Sequence, residues 1–154
     1  MVFDLDVITA AKQDFDKVCV HEMTHAVVHD ALGIDGRTLS PWFDEGVAIY
    51  EAGDGERWVK DALRHVRLDP EAAVCDFEGP IRAQGYPQYF LAVSALVERV
   101  GLPGLRRVIQ GIRNGQTAEE AIAEVSGLDW SLFREYVRSS SLKRMNDIKS
   151  HMTP

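Results

Sequence analysis

The chain has 154 residues, enough for one compact domain that folds without a disulfide or metal staple. Its 45% hydrophobic and 27% charged residues are ordinary for an ordered globular protein and exclude wholesale disorder. Lys and Arg number 17 against 24 Asp and Glu, a net charge of −7, which is a poor footprint for nucleic acid or an anionic membrane because both call for a basic face.

Residues 1–10, MVFDLDVITA, carry two Asp and no basic residue, unlike a secretory leader. Apolar runs fall far short of the ~20 residues a membrane helix needs. Cys19 and Cys75 match no zinc-finger spacing and make no disulfide framework. The expected setting is therefore reducing and cytoplasmic by default.

Phe3, Leu5 and Val7 alternate with Asp4 and Asp6, which predicts a short strand or extended arm over residues 2–7. Thr9 can cap a helix running to about Leu32 and stopped by Gly33. Ser40-Pro41 opens a second helix to about Ala52, with Ser at the cap and Pro at the first helical position. A third is predicted from Gly55 to Arg67, where Trp58, Ala62 and Val66 share a stripe. Residues 68–86, with Asp69-Pro70, Gly79-Pro80 and Gly85, read as irregular. Helical periodicity returns over Pro87–Val100 and Pro103–Asn114. Thr117 with Glu120 forms a capping box for a helix ending at Gly127, and Asp129 caps a last helix through Val137. From Ser139 onward the sequence SSSLKRMNDIKSHMTP has little apolar pattern. The expected organisation is one mainly α domain over residues 1–138, with little or no sheet, and a polar C-terminal tail over residues 139–154.

The chemistry concentrates at His21-Glu22-Met23-Thr24-His25, an H-E-x-x-H motif inside a predicted helix. Positions four apart stack on one helix face, so His21 and His25 can aim both imidazoles at a single ion. Zinc suits two neutral imidazoles and leaves a coordination position for water. Glu22 projects to one side, where a carboxylate can accept the water's proton. Chance produces the pattern in on the order of one chain in a few hundred, so a third ligand is needed. Glu45, near the start of the second helix between apolar Trp42 and Ala48, is expected to face the helix interface. An unpaired carboxylate there is costly unless it binds a dication. The plain alternatives are two surface histidines flanking a Glu, and a solvated Glu favoured by the helix dipole.

The H-E-x-x-H motif, a gap of residues, then Trp42-Phe43-Asp44-Glu45-Gly46-Val47-Ala48 resembles the gluzincin, or thermolysin-like, zinc metallopeptidases, whose third ligand lies in a W-x-x-E-G-x-A context. Tyr86-Pro87-Gln88-Tyr89-Phe90 and Val97-Glu98-Arg99-Val100-Gly101-Leu102 extend the likeness loosely, so that it covers residues 15–138. The resemblance implies a zincin-like helical core with a zinc helix, a Glu-bearing helix and buttressing C-terminal helices. It implies hydrolysis of a peptide or protein substrate, with one zinc ion on His21, His25 and Glu45 and with Glu22 as general base. By the same resemblance Tyr86 could donate a hydrogen bond to the oxyanion, although a Tyr anchoring a loop is an equally open reading. Gluzincins hold substrate against the edge strand of a sheet that precedes the zinc helix. Here residues 2–7 are the one strand candidate, so the upper subdomain is expected to be missing, reduced to a vestige or supplied by another chain.

His29 continues the ladder of His21 and His25, but three such turns span about 12 Å, too far for one ion. It is expected at the surface or beside a ligand. Asp44 could orient a ligating His through its free ring nitrogen or simply be solvated. Cys19 is expected as a small buried hydrophobe. A metallopeptidase is the leading expectation; the alternative is a non-catalytic or vestigial zinc-binding interaction module. No nucleic-acid or membrane partner is expected, and oligomeric state is not legible.

Overall fold

A computed structural model of the chain describes residues 14–33, 39–65, 77–78 and 85–152. The predicted arm at residues 2–7, the cap at Thr9 and most of the irregular stretch lie outside the described residues. Among those described the protein is helical, with no strand. The helices are α1 (Phe15–Leu32), α2 (Pro41–Glu51), α3 (Gly55–His65), α4 (Tyr86–Arg113), α5 (Ala118–Ser126) and α6 (Trp130–Ser150). No helix among them is long and apolar enough to cross a membrane.

Helices α1, α5 and α6 start where a capping side chain satisfies free amides. Asp14 caps α1, its side chain accepting from the Asp16 amide at 3.1 Å. The Thr117 hydroxyl accepts from the Glu120 amide at 3.2 Å while the Glu120 carboxylate accepts from the Thr117 amide at 2.9 Å, a reciprocal cap that removes two unpaired donors. Asp129 accepts from the Leu132 amide at 2.9 Å and starts α6. Ser40 precedes α2 as expected, but its hydroxyl makes no capping bond. Pro41 at the start of α2 lacks one of the amides a cap would serve.

Helix α4 is the central strut, packed against all five others. Its two predicted halves run on as a single element broken at Gly101, where φ is 67° and ψ 172°. A left-handed φ suits a residue without Cβ, and Pro103 then restarts the helix at its first turn. The core gathers Phe43, Tyr89, Val93, Leu96, Ile122 and Phe133 where α2, α4, α5 and α6 meet. A smaller cluster joins Ile49 and Val59 to Phe90, Leu91, Met145 and Ile148.

That second cluster revises the C-terminal boundary. Helix α6 does not stop near Val137 but continues through residues 139–150, and Ser141, Met145 and Ile148 are buried. Positions 137, 141, 145 and 148 form one stripe at helical spacing; the Ser in its middle disguises it as a polar tail.

Helices α2 and α4 touch most closely at Gly46. A Cβ there would stand 2.7 Å from the Tyr89 carbonyl oxygen and 2.6 Å from Val93 Cγ2, so only glycine permits this approach. The contact fixes the height of α2, and with it Asp44 and Glu45, beside α1.

Candidate metal centre and cleft

Helix α1 presents His21, His25 and His29 as a ladder on one face, and the first turn of α2 brings Asp44 and Glu45 against it. His21 Nε2 and His25 Nε2 are 3.2 Å apart, with Glu45 Oε2 at 3.4 Å from the first and 3.8 Å from the second. These three residues, parted by nineteen positions between His25 and Asp44 and one more to Glu45, form a group that could hold a metal ion. Glu45 Oε2 is buried and accepts no hydrogen bond of good geometry. A buried carboxylate oxygen with no donor is costly, and a cation between it and the two imidazoles removes that cost.

Charge in the cluster follows its geometry. Asp44 beside one ring nitrogen, and Glu45 near the other, lift the His25 imidazolium from 6.5 to about 10 against the opposing effect of burial. His21 first, then His25, hold the Glu45 carboxyl down at about 2, although burial pushes it upward.

Asp44 does not join that group of three but braces it. Its Oδ1 lies 2.9 Å from His25 Nδ1, and the same carboxylate meets His29 Nε2 at 3.1 and 3.2 Å. A carboxylate on the far nitrogen of a ligating imidazole fixes its tautomer and ring orientation. His25, His29 and Asp44 are a second trio with metal-ligating atoms close together, but these are ordinary hydrogen-bond lengths. His29 is thus neither idle nor a ligand of the first group; it grips the carboxylate that grips His25.

Beside His21 a cleft of about 180 Å³ opens, walled by Glu22, Ile49, Trp58 and Tyr86. Glu22 therefore shares one cavity with His21 and Tyr86. The Tyr86 ring is half-buried and packs edge-on to Trp58 at 5.3 Å. Burial, followed by the negative charges of Glu45 and Glu22, raises its phenol above the ordinary value, which keeps the hydroxyl protonated and able to donate.

The far end of the cleft contains groups that motif reading overlooked. Lys17 Nζ approaches Asp54 Oδ1 at 3.5 Å and the Gly53 carbonyl at 3.4 Å. Arg57 Nε donates to Asp54 Oδ1 at 2.8 Å, and its guanidinium lies 4.9 Å over the Trp58 ring. Lys17 is one turn before His21, so the stripe was legible; its partner Asp54 was not, because nothing local links the two. Cys19 is half-buried rather than buried, since it lies off the face that meets α2.

Comparison with known proteins returns no match to a protein family, a characterised protein or a solved structure. The likeness to gluzincins therefore rests on the motif residues alone.

Proposed function

We propose that the protein is a zinc-dependent peptidase of gluzincin type, with His21, His25 and Glu45 as ligands. The observation that carries this reading is the convergence of two Nε2 atoms and the donorless Glu45 oxygen at 3.2, 3.4 and 3.8 Å. Ligands of a tetrahedral zinc at its usual bond lengths stand about 3.3 Å from one another, so the donor set and its spacing fit that ion. Two nitrogens and one carboxylate oxygen also suit zinc better than calcium or magnesium, which favour all-oxygen shells.

Bound there, zinc would act as a Lewis acid and make its water more acidic near neutral pH. Glu22, in the same cleft, accepts the proton from the attacking water and returns it to the leaving amine. Tyr86 donates its hydroxyl hydrogen to the oxyanion of the tetrahedral carbon. Asp44 holds His25 Nδ1–H so that Nε2 keeps its lone pair towards the ion. Ile49, Trp58 and the aromatic face of Tyr86 shield the reacting carbonyl from bulk water.

The competing reading, a structural or vestigial zinc module, calls for a closed shell of four protein ligands. Among the described residues the group offers three, and His29 is engaged by Asp44, which favours the catalytic reading.

Metal content measured beside turnover of a peptide library tests the proposal. Glu22→Gln is expected to retain one zinc per chain and lose roughly 10²–10⁴-fold in turnover. His25→Ala is expected to lose the metal as well. Full hydrolysis by the Glu22 variant, or no zinc in the unaltered protein, would refute it.

A further inference from the structure

Two carboxylates from consecutive positions of α2 meet the two ends of one imidazole of α1. His25 Nε2 faces Glu45 Oε2 at 3.8 Å, and His25 Nδ1–H donates to Asp44 Oδ1 at 2.9 Å. The ring is therefore only as well placed as Asp44. A carboxylate on a single hydrogen bond is free to turn, because the Asp Cβ–Cγ torsion has a broad energy surface. His29 removes that freedom. Its Nε2 donates to the same carboxylate from 3.1 Å to Oδ1 and 3.2 Å to Oδ2, so the group cannot rotate away from His25 without losing this contact. His29 is also the rung of the histidine ladder best anchored in the fold. It stands between Val28 and Leu32, the two buried residues of α1, whereas Val20 and Met23, beside the other two histidines, are 41 and 62% exposed.

We infer that His29 is a positioning residue for the metal centre: it passes the anchoring of the C-terminal turns of α1 through Asp44 to the His25 ring, and so holds His25 Nε2 ready for the ion. Binding sites are precise only when the groups that orient their ligands are themselves held, and here that outer support comes from the ligand-bearing helix itself, one turn further on. The inference rests on the reading of His21, His25 and Glu45 as zinc ligands, but not on hydrolysis. It gives His29 no bond to the metal. A cation seated among His25, His29 and Asp44 would take the His25 Nδ1 lone pair while Nε2 serves the first group, and a neutral imidazole has one such lone pair to offer, not two.

Zinc affinity measured by competition with a chromogenic chelator, beside metal content and helical circular dichroism, tests this without any need for turnover. His29→Ala is expected to weaken zinc binding roughly tenfold while still taking up one zinc per chain at saturation. His29→Gln, which keeps an N–H donor on a side chain of similar reach, should recover most of that loss. In an Asp44→Asn background, His29→Ala should change affinity less than about twofold, because the carboxylate it holds is gone. If His29→Ala loses helicity, His29→Leu takes its place, filling the space without a donor. Unchanged affinity in the donorless variants overturns the inference and leaves the zinc ligands standing. A full tenfold loss in the Asp44→Asn background also overturns it, since the effect would then be a general loosening of α1. So do two zinc ions in the unaltered protein that fall to one in His29→Ala, which would make His29 a ligand. An unaltered protein that binds no zinc overturns both this inference and the peptidase reading.

Discussion

Helices α1 and α2 supply one site but are held in the protein in opposite ways. Six of the eleven residues of α2 are buried, Phe43 and Ala48 completely, and the helix is clasped by α4 at Gly46. In the eighteen residues of α1, Val28 and Leu32 are buried, and four large apolar side chains stand exposed. Polar ties add to these: Lys17 to Asp54, and the histidine ladder to Asp44 and Glu45. The carboxylates are thus built on a fixed wall and the imidazoles on a lightly attached one. An ion binding both would stabilise the folded state by mass action, and that stabilisation would fall mainly on the docking of α1.

The comparison breaks most visibly at the fixed wall. Phe43→Ala is expected to cost about 3–5 kcal/mol and to lower the thermal midpoint of the whole domain. Trimming an exposed apolar side chain of α1, such as Met23→Ala, should leave that midpoint nearly unchanged; equal losses in calorimetry would show that α1 is as embedded as α2. A smaller effect is expected at the joint between the walls. Asp44→Asn should weaken zinc binding roughly 10–100-fold with the fold intact, measured by competition with a chromogenic chelator.

The same joint governs how the metal-depleted protein responds to pH. The contribution of His25 is complete below its ordinary pKa of 6.5 and is lost as pH rises through about 10. That of Glu45 is complete above 4.5 and is lost as pH falls through about 2. Chelator-treated protein should therefore show a stability plateau between pH 4.5 and 6.5 that declines on both sides. Asp44→Asn should flatten the alkaline decline and spare the acid one, as denaturant midpoints across pH would reveal. The smallest change is expected far from the joint. Thr117→Ala removes the cap of α5 and should cost about 1 kcal/mol, with zinc affinity unaltered.

Sequence reading reached the parts of this molecule whose causes are local. Thr117 with Glu120, and Asp129, mark helix starts because each meets the demands of amides within three residues, and Pro41 marks one because it lacks an amide and its fixed φ suits the first helical turn. The H-E-x-x-H spacing was legible for the same reason, since one turn of helix brings the two imidazoles together. Glu45 became visible as a carboxylate placed in an apolar context. Other features depend on distant partners. Asp54 meets Lys17 only because the turn after α2 comes back to the start of α1, and His29 acquires its partner only once α2 is docked. The length of α6 was hidden by Ser141, whose burial no local rule announces.

The close approach at Gly46 has a mechanical consequence. The carbonyl it abuts belongs to Tyr89, one turn beyond Tyr86, and Glu45 is the residue just before it. Glu45 and the Tyr86 phenol are therefore bolted to a common chassis, and any bending of the α4 entrance must carry both together. The histidine helix, with two buried residues against six in α2, is the less tightly clamped partner of that chassis.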